Sequence, residues 1–368
     1  MISKGFSVYL HYLRFTAALV VLLSHFGYPR FSEGRWAWVR EFNLGSDAVI
    51  VFFVLSGLLI AHVASKSRGG LTQFSFDRIT RLVSVALPAL ILGFALDRLG
   101  AFISPEGYDF WYYNPLSLTE TLLRGLTFSN EWTGMVTRLG TNGPYWSLSY
   151  EAAYYALFAV SFYLRGARRA LLLTAGLLIF GPNVLLLMPT WLMGAALYAF
   201  IKSGNTVGRT ASLALSTVPI AIYATALATD LPATLREYTD PLYPYFDLRF
   251  SDEPLWNNFL GLLVTLHLLG VAALTRNYQP TELSQSVSAW LSGGSFSLYL
   301  VHFPVIQLLC VLFLPQHSSW TSDFVLLLIT ITACYLFASV FERPLDRWRA
   351  IFRRSLSYQR KWNYSPGK

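Results

Sequence analysis

Long apolar runs recur along almost the whole chain, and they constrain the fold more than any other feature. Each is close to the roughly 20 residues that a helix needs to cross a hydrocarbon core about 30 Å thick. In a bilayer every backbone N–H and C=O must be satisfied within the protein, so such runs are read as transmembrane helices. Ten are expected, at 7–27, 46–65, 79–99, 144–164, 169–187, 188–202, 211–229, 256–275, 292–314 and 321–341. Only Gly181-Pro182-Asn183 and Met188-Pro189 interrupt the fifth and sixth, which form a tight helical hairpin or one broken element. Composition agrees: 54% of residues are hydrophobic and 13% charged, where a soluble domain carries about 25% charged. The expected fold is an all-α, polytopic transmembrane helical bundle embedded in a lipid bilayer.

Orientation follows from the basic residues, because Lys and Arg near span ends stay cytoplasmic. With ten spans and the N-terminus inside, 19 of the 28 basic residues fall on the cytoplasmic side, 8 outside, and Arg14 within the first span. Of the 20 acidic residues 15 fall outside, many of them between 230 and 253. Both termini are therefore expected in the cytoplasm. Two long outer loops, 100–143 and 230–255, are rich in Trp, Tyr and Pro and serve as interfacial anchors or as substrate-contacting lids.

The net charge of +8 does not point to nucleic acid, since the positives lie along membrane-flanking segments and not on one folded face. Cys310 and Cys334 lie in apolar stretches without metal-ligand spacing, and no metal is expected. The first apolar run is long and lacks a small-residue cleavage pattern, so it is expected to be a retained span. No internal repeat is apparent, which disfavours repeat-built transporters.

Several polar residues stand inside these spans at a cost that calls for a partner or a use. Arg14 and His25 share the first span, and a mid-membrane arginine costs about 2.5–3.5 kcal/mol on insertion scales. Eleven residues make three turns plus about 20°, so the two lie on one stripe about 16 Å apart. That stripe lines a path across the membrane, or Arg14 pairs with a carboxylate and His25 bonds at the interface. The third span begins Asp77-Arg78-Ile79-Thr80-Arg81, an i, i+3 arginine pair suited to a multiply charged phosphate compound, or simply topogenic. In the fourth, Pro144-Tyr145-Trp146-Ser147 leads to Glu151 one turn beyond Ser147, a carboxylate that can orient His25, balance Arg14 or face solvent. Ser295, Tyr299 and His302 make a polar stripe on the ninth span, lining a cavity or bonding to a neighbouring helix. The tenth ends Glu342-Arg343-Pro344, where proline stops the helix.

Taken in order, the R-x10-H first span, GSDAVIVFFVLSGLLI in the second, R-x-x-R, W-S-L-x-x-E, S-x-S-L-Y-L-x-H and E-R-P resemble the acyltransferase 3 family of membrane-bound acyltransferases. The resemblance runs from about residue 7 to residue 347 and leaves 348–368 as a basic cytoplasmic tail. It implies a bacterial inner-membrane enzyme that moves an acetyl-type group from cytoplasmic acyl-CoA, here acetyl-CoA, to a hydroxyl of an extracytoplasmic carbohydrate such as O-antigen or exopolysaccharide. By resemblance His25 is the catalytic histidine with Arg14 as its partner, and Glu151 is placed with them as a catalytic candidate by its own position in the fourth span. Arg78, Arg81, Glu342 and Arg343 are assigned to the donor, and Trp146, Ser147, Tyr299 and His302 to the acceptor side. A carbohydrate or glycolipid acceptor, a homo-oligomer or glycan-synthesis partners are implied companions. The rival readings are a glycan or lipid-precursor transporter or flippase, for which polar stripes also mark pathways, and a sensory or scaffold protein without turnover.

Overall fold

A computed structural model describes residues 2–67, 69–110, 113–133, 135–242, 245, 247–313 and 319–362. Residue 314 of the ninth expected run and 363–368 of the expected tail lie outside the described residues. Among the described residues ten long helices stand where ten runs were expected: α1 (Lys4–Phe26), α2 (Leu44–Lys66), α3 (Gly70–Ile103), α4 (Trp146–Tyr163), α5 (Gly166–Leu185), α6 (Met188–Lys202), α7 (Arg209–Ala228), α8 (Pro254–Leu274), α9 (Ser295–Phe313) and α10 (Trp320–Phe341). An eleventh, α11 (Leu345–Trp362), follows Pro344. Their ends are encoded locally. Ser3 accepts a hydrogen bond from Phe6 N at 3.2 Å to start α1, Ser319 does the same for Ser322 N at 3.2 Å at α10, and Pro254 opens α8.

Eight of the ten are long and apolar enough to cross a membrane, which makes the protein a multi-pass membrane protein. The two that fall short are α4 and α6. At 15 residues, α6 reaches only about 22 Å. In α4 the hydroxyls and carboxylate of Ser147, Ser149, Tyr150, Glu151, Tyr154 and Tyr155 lower the hydropathy, because this helix turns polar groups to the protein interior. Both counts are even, so α1 begins and α10 ends at the same face of the bundle.

Three details differ from expectation. Helix α3 starts nine residues before the expected boundary, so Arg78 and Arg81 sit two to three turns inside it and not at its end. The fifth and sixth runs part company: α5 lies against α4, kinks at Gly181 (φ 83°), and α6 crosses to pack on α2 and α8. The basic tail is a helix as far as Trp362 and lies against α3, where Arg349 pairs with Asp77 at 3.6 Å.

Helices α2 and α6 meet at two glycines. A methyl group built on Gly57 would overlap the Trp191 carbonyl oxygen, and one on Gly194 the Val54 carbonyl oxygen. Small residues let backbones approach closely where lipid offers no hydrophobic drive to association. This contact fixes α2, whose other side faces α1 and α4 and forms a wall of the site.

Candidate functional site

Five helices, α1, α2, α3, α4 and α9, enclose a cavity of about 140 Å³. Arg14 enters from α1, Ser56 from α2, Arg78 and Arg81 from α3, Ser147, Glu151 and Tyr155 from α4, and Ser295 and Tyr299 from α9. Residues separated by up to 285 positions in sequence thus share one polar chamber inside an apolar bundle.

Glu151 is held firmly. Ser56 Oγ donates to its Oε1 at 2.7 Å, Tyr155 donates to the same oxygen, and Trp191 Nε1 secures Ser56 at 3.1 Å. Arg81 is also committed. Its Nη2 lies 2.8 Å from Glu342 Oε1, while Glu342 Oε2 accepts from Ser297 N at 2.8 Å. Glu342, 2% exposed, is therefore a strut that ties α3 and α9 to the end of α10 and does not itself line the cavity. Arg14 and Arg78 differ. Among the described residues neither forms an ion pair, and Arg78 Nε is buried without a hydrogen-bond partner. The carboxylate partner allowed for Arg14 by the sequence is absent there, so two guanidinium charges face the chamber uncompensated by contact.

The cavity stops short of His25. Its far wall is Tyr299 with Ser147, whose hydroxyls are 2.7 Å apart, and Phe52, whose ring lies 5.7 Å from that of Tyr299. His302 follows Tyr299 by three residues, about 4.5 Å further along α9, and its ring lies 6.5 Å from the Tyr299 ring. The path expected along the α1 stripe is thus divided: Arg14 lines the chamber, and His25 stands behind a one-turn septum.

His302 does not line the chamber but holds His25. Its Nδ1 lies 2.8 Å from the Leu298 carbonyl, so this nitrogen donates and Nε2 carries the lone pair. His25 Nδ1 lies 3.0 Å from that Nε2, so it must donate. The network therefore assigns the proton of neutral His25 to Nδ1 and leaves Nε2 as the basic nitrogen. Phe303 packs edge-on to the His25 ring at 5.1 Å and Tyr28 stacks on it at 6.4 Å, fixing its plane.

A proline explains how the loop ahead of α4 is tied to the same place. Pro304 has no N–H for the Leu300 carbonyl four residues earlier. Asn142 Nδ2 fills that vacancy at 3.0 Å. Next to it, Thr141 donates to Asp97 through its backbone N at 2.8 Å and its hydroxyl at 2.6 Å. Two expected residues lie elsewhere. Trp146 stacks on Phe250 at 4.4 Å, where the 230–255 loop docks on α4, and so serves packing. Arg343 is exposed, lies 4.6 Å from the Trp290 ring and donates to the Trp290 carbonyl at 3.1 Å, away from the chamber. Sequence reasoning missed Ser56, Asn142 as a bridge, and Tyr28 with its arginines, because each acts through a partner far away in sequence. For Asn142 the signal was legible in principle: an in-helix proline demands a substitute donor.

The acyltransferase domain family (Acyl_transf_3) matches residues 7–339. The chain belongs to the acyltransferase 3 family. It is also 32% identical over 151 residues to acyltransferase MdmB of Streptomyces mycarofaciens, a match covering 40% of this chain and 36% of that relative's length. No solved structure is significantly similar. Among the described residues no cluster of His, Cys, Asp or Glu is arranged to hold a metal ion.

Proposed function

We propose that this protein is a membrane-bound O-acyltransferase of a bacterial inner membrane, drawing an acetyl-type group from cytoplasmic acyl-CoA and passing it to a hydroxyl of an extracytoplasmic carbohydrate. The observation that carries the reading is the pair Arg14 and Arg78, two membrane-embedded cations without an ion pair among the described residues, facing one chamber that the Tyr299–Ser147 septum divides from His25 and its hydrogen-bonded neighbour His302. Such charges are retained where an anionic or strongly polar substrate compensates them.

The residues present suit the donor. Guanidinium groups bind phosphates with directed hydrogen bonds, and Arg78 and Arg81 lie nearest the face where α1 begins. At about 140 Å³ the cavity is well below the roughly 300–1,000 Å³ of pockets that enclose drug-sized ligands. It suits a slender thioester-bearing arm whose nucleotide stays outside, and it disfavours a pathway for whole glycans. Movement of the Tyr299–Ser147 septum is then part of the reaction.

Sugar hydroxyls are weak nucleophiles at neutral pH, so transfer needs a base and stabilisation of an oxyanion. His25 Nε2 takes the hydroxyl proton as the oxygen attacks the thioester carbonyl. The C–O bond forms, the C–S bond breaks, and the proton passes from His25 to the departing thiolate. His302 keeps Nδ1 protonated throughout, and Arg14 supports the developing negative charge. The test is acyl transfer by the purified full-length protein in proteoliposomes, with labelled acetyl-CoA and a bacterial surface-glycan fraction. Label in the glycan is expected. Failure to bind CoA at millimolar concentration would contradict the reading.

A further inference from the structure

Helices α1 and α2 turn a second set of residues away from the chamber. With α7 and α8 they enclose a cleft of about 400 Å³, walled by apolar side chains such as Leu13, Val20, Val51, Ile220, Leu263 and Val264. Along α1 the cleft extends from Tyr9 to Val20, a rise of about 16 Å. It reaches the start of α2 at Leu44 and closes just past the middle of the spans. There the Tyr9 hydroxyl bonds His267 Nε2, and His267 Nδ1 donates to the Ser216 carbonyl at 2.9 Å. Thr16 and Ile220 line the cleft and are exposed, so it opens sideways within the membrane-spanning zone.

A buried water needs about 2–4 polar partners, and the polar side chains here are already engaged. The Asp47 carboxylate accepts from the Tyr223 hydroxyl at 2.7 Å and from Trp256 Nε1 at 2.8 Å, and His267 is held at both nitrogens. A hydrocarbon chain fits instead: one leaflet is half of a core about 30 Å thick, close to the length of the cleft.

Beyond the cleft, at the end where α2 and α8 begin, lies a polar pocket of about 450 Å³ that includes Glu41, Asn43, Asp230, Arg236, Glu253 and Trp256. The two cavities are stacked one helical turn apart. Asn43 precedes Asp47, Leu227 follows Tyr223 and Trp256 precedes Leu260, each at i, i+4, with one residue of every pair in either cavity except that Trp256 also meets Asp47. Arg236 is held by Asp252 at 3.3 Å and Glu253 at 3.5 Å, and Asn43 Nδ2 donates to Glu253 at 3.1 Å. Carboxylates outnumber guanidinium groups on this lining, so a phosphate there meets like charge, whereas sugar hydroxyls donate to carboxylate oxygens. Residues 40–45 join the pocket to the histidine end of α1. Arg40 lies 3.6 Å from the centroid of the Tyr28 ring, which stacks on His25, and donates to the Ser24 carbonyl at 3.3 Å; Gly45 packs on the Ser24 side chain.

We propose that the cleft and the pocket form one binding site for a glycolipid of the outer leaflet, its chain in the apolar cleft and its uncharged sugar headgroup in the polar pocket. Naming this lipid the acceptor rests on the acyltransferase reading; the binding site is tested separately. An acceptor anchored in this way enters from the bilayer and brings a sugar hydroxyl to the Ser24 end of α1, beside His25, without passing through the donor chamber.

The experiment is photocrosslinking of the full-length protein in phosphatidylcholine nanodiscs. The probes are a glucosyl diacylglycerol and a phosphatidylglycerol that carry the same diazirine-bearing chain, and labelled residues are mapped by mass spectrometry. Labelling is expected on cleft residues of α1, α2, α7 and α8 above that on the exposed face of α10 at Leu328. The glucosyl lipid should exceed phosphatidylglycerol in the cleft about fivefold or more, the worth of one or two hydrogen bonds. Thr16→Trp, at an exposed wall position, blocks the mouth and should lower cleft labelling by a similar factor. Glu41→Gln/Asp230→Asn, also exposed, should erase the headgroup preference and leave CoA binding unchanged. Cleft labelling no greater than that at Leu328, or unaffected by Thr16→Trp, would overturn the site. Equal labelling by the two lipids, or a preference for phosphatidylglycerol, would overturn the glycolipid assignment. Failure to bind CoA with glucosyl-lipid labelling intact would instead overturn the acyltransferase reading and leave the lipid site supported.

Discussion

Replacing His302 by phenylalanine isolates the claim that this residue acts by fixing the tautomer of His25. The side chain is fully buried, and phenylalanine conserves its ring and most of its volume. What is lost is the Nε2 acceptor 3.0 Å from His25 Nδ1. The Leu298 carbonyl keeps its helical backbone partner, so the backbone cost is small. A buried N–H left without an acceptor costs about 1–3 kcal/mol, a modest share of a typical folding free energy of about 5–15 kcal/mol. The variant should therefore fold. The same 1–3 kcal/mol, lost from the preference for the reactive tautomer, lowers kcat between about fivefold and a hundredfold. KM for the acyl donor should stay within about twofold, since the chamber is unaltered and uniform binding is not removed. His302→Gln offers a carbonyl oxygen in place of Nε2 and should recover most of the loss. The assay is steady-state thiol release from acetyl-CoA with acceptor present, on protein in nanodiscs. A phenylalanine variant with wild-type kcat, or one whose defect lies wholly in donor KM, would refute the reasoning.

Arg78→Ala removes a chamber cation that has no ion pair among the described residues, so it should weaken CoA binding about tenfold or more without loss of thermal stability; calorimetry and a melting curve check both. Gly57→Ala drives a methyl group into the Trp191 carbonyl and should cost about 1–3 kcal/mol or prevent folding, read as a lower Tm or lost monodispersity. Burial pushes Glu131 from its ordinary 4.5 up to about 7 despite the nearby Arg249 and Arg138. Between those values the folded protein holds a proton that the unfolded chain has released, so wild-type stability falls as pH rises from about 4.5 to 7. Glu131→Gln lacks this penalty, and its Tm relative to wild type should improve over that window by the equivalent of roughly 3 kcal/mol.

Much of the fold was legible because span length is a one-dimensional property. Ten apolar runs became ten long helices, and Pro344, Pro144 and the caps fall where backbone chemistry requires them. Part of the convergence was legible too: Arg14, Arg78, Arg81, Ser147, Glu151 and Tyr299 line one chamber, whereas His25 and His302, read on the same stripes as Arg14 and Tyr299, lie outside it, and the arginine pair lies deeper in its helix than expected. Rotation and partner choice were not. Nothing in the ninth run shows whether His302 turns toward the chamber or toward α1, because a three-residue step from Tyr299 moves the side chain by about 60° around the helix. Glu342 reads as a boundary acid until Arg81 and Ser297 N are seen to converge on it. Tyr28, Arg30 and Arg40 follow no helical period and come together only through the short helices and loops beyond α1.

The most direct test of the account is acyl transfer by His25→Asn measured beside CoA binding by the same preparation. Asparagine has a hydrogen-bond donor to offer His302 but no basic nitrogen. Transfer to acceptor should fall by a factor of about 10² or more, with the CoA dissociation constant unchanged. Undiminished turnover in that variant would remove His25 from the chemistry and contradict the account.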